Sequence, residues 1–418
     1  MTRKVIGIFL LVGCCLLGCA SKHPYIEDLP NEIPISDDGE DQGVTDQLRV
    51  KIVGDQLYIS AKLNDDKDIL YWFRKCMFNE IFTFYRVGVI DNNMKLPTNL
   101  PDATPSLTLN LAYSDNIGPF NITGFGWAGG NHAYIDNVTK TASTENVAIY
   151  LDDKIATKDT LALVDYVHVK VVNHIMNPAK PQIVEGKTKL NELLCTESVD
   201  YYIRKNNIQV SVTHSFDNEN PVEVQMYYGM QSMFEKETHT MTPNGKYSDW
   251  TLQSEVDTFL KKDYPFFRKY VEKNSQAYQS SFLIDTGLGS HDAIADDDII
   301  FIGNSNGKSY HKIISHKQYK RGDVTAWQGV YTWFIKPIAD DADILCYEGV
   351  INGKNTIFID CKKAVDKEIT LPDKYVGKLF SFYEKTPNSD ITVTEGKELN
   401  KTMKISSSGA SGCILIFN

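Results

Sequence analysis

Basic clusters, standard nucleophile signatures and closely spaced metal ligands are all missing from this chain. Lys and Arg number 43 against 54 Asp and Glu, for a formal charge of −11. With no run of cations, the charge-neutralising contact that nucleic-acid backbones require is excluded, as is electrostatic docking on anionic lipid. Lys317, Lys320 and Arg321 lie close together, but so short a group reads as a solvated turn. Arginine is scarce: past the N-terminus it occurs only at 49, 74, 86, 204, 268 and 321. Chemistry that must neutralise a substrate carboxylate through Arg is weakened accordingly. There is no GxSxG elbow, no HExxH and no CxxC, so neither a serine-hydrolase nor a zinc signature is present, and nothing calls for a cofactor. Beyond the N-terminal segment the cysteines are Cys76, Cys195, Cys346, Cys361 and Cys413. An odd, sparse set is no disulfide framework. Cys346 and Cys361 flank Asn352-Gly353 on two apolar segments, where one disulfide or two buried thiols would fit; thiols are the expectation. No internal repeat occurs.

One long apolar run is present, at the start. Arg3 and Lys4 precede Val5–Leu17, an apolar stretch that suits a secretory signal and is short for a bilayer span. It ends in Leu16-Leu17-Gly18-Cys19, which resembles the lipobox of bacterial lipoproteins. The resemblance implies a signal peptide over 1–18, cleavage before Cys19, lipidation of the Cys19 thiol, and attachment to a membrane through that anchor. Cys14 also follows a glycine but sits within the apolar run, which makes it the weaker candidate. Each buried CH₂ of an acyl chain contributes roughly 0.8 kcal/mol, so several chains hold firmly. Removing Arg3 and Lys4 would take the formal charge from −11 to −13. Residues 19–47 carry Glu27, Asp28, Glu32, Asp37, Asp38, Glu40, Asp41 and Asp46 among Pro24, Pro30 and Pro34. Such a segment cannot bury a core and reads as an extended tether. Acids soon after a lipidated cysteine resemble the surface-export signals of Bacteroidota lipoproteins, although here they begin late. The expected address is the cell envelope, at the outer membrane.

The body reads as mainly β. Leu48–Val53 and Gln56–Leu63 alternate around Gly54-Asp55, a hairpin signal. Short β-type runs continue to Cys413–Phe417, with turn pairs at Asn92-Asn93, Asn206-Asn207 and Asn352-Gly353. Many short strands between regular turns predict a large antiparallel β-sandwich over 48–335 and a small C-terminal β-sandwich over 336–418. One segment departs from the pattern. In Ser254–Lys273, Val256, Phe259, Leu260, Phe266, Phe267, Tyr270 and Val271 recur at roughly helical spacing, which predicts a short helical insertion split at Pro265.

Candidate site residues concentrate in Gly124–Tyr134 (GFGWAGGNHAY). Its glycines permit φ > 0 and close approach of a ligand. Trp127 and Tyr134 offer flat apolar faces, while Asn131 and His132 offer directional hydrogen bonds, a mixture that suits a sugar. A tight inter-strand loop with Trp127 plugging the core fits the same residues. No Lys-Ser/Thr follows, so this is no phosphate loop. His174, at a strand end, is either an acid/base partner of His132 or a satisfied strand-end histidine. Asp292–Asp298 could offer carboxylates to calcium but lacks the spacing of a calcium loop, and reads as a solvated turn; no metal site is expected.

The third segment runs Thr213–Val222 and then Gln225–Phe234: strand, Pro turn, strand with Tyr227 and Tyr228, then a Gly229 break. It resembles the large β-sandwiches of sugar-handling proteins, including mutarotase-like supersandwiches. That resemblance implies a ligand near Tyr228 and Gln231. Three readings stay open: an anchored envelope protein that binds glycan through Trp127, Asn131, His132, Tyr134 and Gln231; a lyase or hydrolase using His132, His174 and Tyr228 as acid and base; and a structural or adhesive envelope protein whose aromatics are all core.

Overall fold

A computed structural model describes residues 46–93, 109–113, 117–157, 159–232, 238–241, 247–250, 257–260, 268–273, 277–285, 299–302, 309–386, 388–394 and 400–417. Of the signal and tether expected over 1–47, residues 1–45, Cys19 included, fall outside them, as does Asp292–Asp298.

Every strand pairing among the described residues is antiparallel. Leu48–Val53 and Gln56–Asn64 form the predicted hairpin, with Gly54 at φ 57°. They continue through Lys67–Cys76, Ile81–Asp91 and Leu109–Tyr113 into a six-stranded sheet whose other edge is Leu161–Val164. A second six-stranded sheet contains Val222–Ser232, Ser309–Tyr319, Phe120–Ile122 and Gly126–Ala128. Packed against both is a ten-stranded sheet. Its centre runs Ala277–Asp285, Val324–Phe334, Asn207–Phe216, Leu193–Arg204, Val167–Met176, Ala142–Leu151.

Alternation explains how that sheet has a dry face and a wet one. In Val167–Met176 the odd positions are buried and the even ones are not, apart from small departures. Val169, Val171, Val199, Tyr201, Val210 and Val212 join Tyr71, Phe73 and Phe84 of the first sheet and Phe120, Val224 and Tyr227 of the second in one core. At roughly 25 cal/mol per Å² of apolar surface removed from water, this shared core is the main force joining the layers.

One row across the dry face is polar. Thr144, Asn173, Glu197, His214 and Thr325 face one another on five neighbouring strands. The Thr144 hydroxyl donates to Asn173 Oδ1 (2.7 Å), Asn173 Nδ2 donates to Glu197 Oε1 (2.9 Å), and the His214 ring bridges Glu197 (3.0 Å) and Thr325 (3.1 Å). Asn173, Glu197 and His214 are buried. Each demands its partner, so the row pins the register of five strands.

From Ala339 onward the strands build a five-stranded and a three-stranded sheet of their own, around a separate core that includes Cys346, Ile359, Met403 and Leu415. Cys346, Cys361 and Cys413 are buried thiols that form no disulfide, and burial pushes Cys346 well above its ordinary pKa. The hairpin Ile344–Ile351 and Lys354–Cys361 turns at Asn352 (φ 51°) and Gly353 (φ 75°), the geometry that Asn-Gly favours. It abuts the ten-stranded sheet: Phe282, Val330 and Phe334 pack with Tyr347 and Phe358.

The helical insertion is not found among the described residues of 254–273. Among the described residues the only helical element is a 3₁₀ turn, Asp373–Tyr375. Asp257–Leu260 is instead a strand against Ile299–Ile302, and Arg268–Lys273 is a strand between Thr238–Met241 and Ala277–Asp285. The apolar residues there form two short clusters separated by Pro265, and short apolar runs do not distinguish helix from strand by period. β-branched and aromatic side chains, together with open sheet edges, favour the strand.

Candidate functional site

The glycine-rich loop is held by side chains from elsewhere. Asn79 Nδ2 donates to the carbonyls of Gly130 (2.8 Å) and His132 (3.0 Å), and its Oδ1 accepts from Thr141 N (3.0 Å). Thr141 Oγ1 accepts from Gly129 N (3.0 Å). Gly129 sits at φ 82° with Ile175 close enough to press on any Cβ, so only glycine fits. Trp127 stacks on His132 (5.1 Å, 26°) and on Tyr228 (5.7 Å, 27°). Three of the predicted residues therefore meet in one half-buried aromatic cluster. Asn131 is spent on the fold, its Oδ1 accepting from Phe78 N at 2.6 Å. Tyr134 and Gln231 are buried, and the Gln231 carbonyl accepts from the Tyr331 hydroxyl. His174 pairs with Glu145 at 2.8 Å, on the wet face of its strand.

Just beyond the loop, burial works against the Asp136 carboxylate, but the Thr139 hydroxyl and the N–H groups of Val138 and Thr139 donate to it and hold it down at about 2. A depressed carboxyl pKa stabilises the fold above the unfolded value near ~4 and is lost as pH falls through the folded one. The protection of the Val138 and Thr139 amides, measured against their intrinsic exchange rates, should therefore fall between about pH 4 and pH 2, and Asp136→Asn should abolish that acid step.

A further cleft is lined by none of the predicted residues. That cleft, of about 450 Å³, lies on the wet face of the ten-stranded sheet where the Ile344–Cys361 hairpin abuts it; its walls include Tyr166, Asp200, Tyr202, Arg204, Gln209, Gln328 and Asn352. The volume is that of a small-ligand site. Register builds it. Tyr150, His168, Tyr202 and Gln209 face one another on successive strands. Their rings stand as a ladder: Tyr150 on His168 at 5.3 Å, and His168 on Tyr202 at 4.3 Å and 14°. Tyr202 closes the ladder at the cleft and is 40% exposed. One row away, Asp200 holds His168 Nε2 at 2.7 Å. Burial, and then the Asp200 charge, raise the Tyr202 pKa, so its hydroxyl stays protonated. At the far end the Arg204 guanidinium lies 4.3 Å from the centre of the Tyr166 ring. The Tyr166 hydroxyl bonds to Asp153, whose hydrogen bond, with burial, pushes Tyr166 up to about 12.

The signal that could have found this site is the wet-face alternation itself. In Leu193–Arg204 and Val167–Met176 those positions carry Tyr202, Arg204 and His168, large flat groups where small polar ones would serve solubility as well.

No protein-family model and no curated protein matches the chain. Among solved structures it is similar to the galactosidase domain of an α-galactosidase–sucrose kinase (7% identity, TM-score 0.39, 68% of this chain and 42% of that one). It is also similar to a family-36 α-galactosidase from Geobacillus stearothermophilus (10%, TM-score 0.35, 69% and 41%) and to a putative aldose 1-epimerase from Klebsiella pneumoniae (9%, TM-score 0.30, 67% and 79%). The chain thus spans less than half the length of the galactosidases it overlays. Likeness at this level fixes neither ligand nor reaction.

Proposed function

We propose that the protein is an envelope lipoprotein, anchored through Cys19, that binds glycan in the wet-face cleft. The observation that carries the binding half is Tyr202: a ring backed by His168 and left open toward a cleft whose other walls include the amides of Gln209, Gln328 and Asn352, the Arg204 guanidinium and the Asp200 carboxylate. Sugars present C–H faces to such a ring and hydroxyls to such amides. The anchoring half rests on Leu16-Leu17-Gly18-Cys19 and the acidic, proline-bearing segment after it.

Two measurements test it. A glycan array probed with the full chain in detergent should return saccharides that bind. Mass spectrometry of the protein from its native membrane should find a mature chain beginning at Cys19 and carrying fatty acyl mass. A chain that starts elsewhere without acyl mass removes the anchor, and an empty array removes the binding.

A catalytic version of this reading is favoured by one contact, the Asp200–His168 pair beside the cleft, since a carboxylate that orients an imidazole is the geometry of a general base. In that version turnover depends on His168 rather than on His132 or His174.

A further inference from the structure

We infer that the glycan taken by this cleft is acidic, its carboxylate or sulfate group received by Arg204. The inference rests on the binding reading above and names the ligand class for the same site.

The chain is acidic overall and poor in arginine, yet one of its few guanidiniums lines this cleft. Arg204 lies between the Tyr166 ring and the Asn352-Gly353 turn, where a Cβ on Gly353 would sit 3.8 Å from Arg204 Nε. Among the described residues no carboxylate forms an ion pair with it. The nearby acids are otherwise engaged: Asp200 holds His168, and Asp153 takes the Tyr166 hydroxyl. A planar cation with its face on an aromatic ring keeps its N–H edge for an oxyanion.

The amides beside it are turned the same way. Asn352 N–H, which can only donate, bonds Gln209 Oε1 at 2.8 Å, and Gln209 Nε2 then donates to Asn352 Oδ1 at 2.8 Å. The backbone donor fixes both orientations. Each acceptor oxygen already takes one bond inside the protein, while both amides belong to cleft-lining residues and carry further N–H groups. The result is a donor-rich end at Arg204 and an apolar ring face at Tyr202, which matches a sugar bearing an oxyanion better than a neutral one.

The test is isothermal titration of the full chain in detergent with four probes: galacturonan fragments, the same fragments methyl-esterified, sulfated galactan fragments and unsubstituted galactan fragments. Charged fragments should bind at least tenfold tighter than their uncharged counterparts. Arg204→Gln should erase that preference and Arg204→Lys should retain part of it, both with unchanged thermal midpoints. Preference for the sulfated arm with the same Arg204 dependence supports the inference and identifies sulfate as the group. Equal binding of charged and uncharged fragments overturns it and leaves the glycan reading intact, as does charged-fragment binding that Arg204→Gln does not alter. If all four probes fail while a neutral glycan on the array binds, only this inference falls; if the array is empty too, both fall.

Discussion

Tyr202→Ala is expected to weaken glycan binding roughly tenfold to thirtyfold, about 1.4–2 kcal/mol, the loss typical of an aromatic anchor. The thermal midpoint should hardly move, because Tyr202 is 40% exposed and lies on the wet side of its strand. Trp127→Ala gives the opposite pattern. Its ring is packed on His132 and Tyr228, so its removal should cost stability while cleft binding persists. Titration of both variants with one array hit, beside their melting curves, separates the two sites. Binding lost in Trp127→Ala and kept in Tyr202→Ala would return the ligand to the glycine-rich loop.

Glu197→Ala should be among the most damaging single changes in the body. It leaves His214 without its carboxylate and Asn173 Nδ2 without an acceptor, both inside the core. Leaving a buried donor or acceptor without its partner costs about 1–3 kcal/mol for each such group, a large part of the stability of an ordinary domain. Replacing both members, Glu197→Leu with His214→Leu, should cost less than the single change, since the imidazole is no longer stranded and only Asn173 Nδ2 and the Thr325 hydroxyl lose a partner. Urea unfolding of the three chains reads the difference in midpoint. A single variant as stable as the parent would show that the polar row does not hold the five strands.

What could be read in advance follows the range of the forces involved. Gly54-Asp55 and Asn352-Gly353 announce their hairpins because turn chemistry is local, and both turns form where expected. The unusual backbone of the glycine-rich loop was equally visible, and Gly124, Gly126, Gly129 and Gly130 all have positive φ. The reason it stays ordered was not, because Asn79 and Thr141, which tie it down, lie outside it. Ser254–Lys273 shows the limit of periodicity: within it Asp257–Leu260 and Arg268–Lys273 are two strands whose partners are Ile299–Ile302 for the first and Thr238–Met241 and Ala277–Asp285 for the second. The cleft was hidden for a related reason. Tyr166, Tyr202, Gln328 and Asn352 become neighbours only through strand register and the seating of the C-terminal hairpin, and no local spacing records that.

Hydrogen–deuterium exchange of the full chain, with and without a saturating array hit, tests the placement of the ligand most directly. Slowed exchange should centre on residues 200–211, 326–330 and 350–354, the three stretches that meet at the cleft. Slowing confined to 124–134, with those three stretches unchanged, would contradict the account.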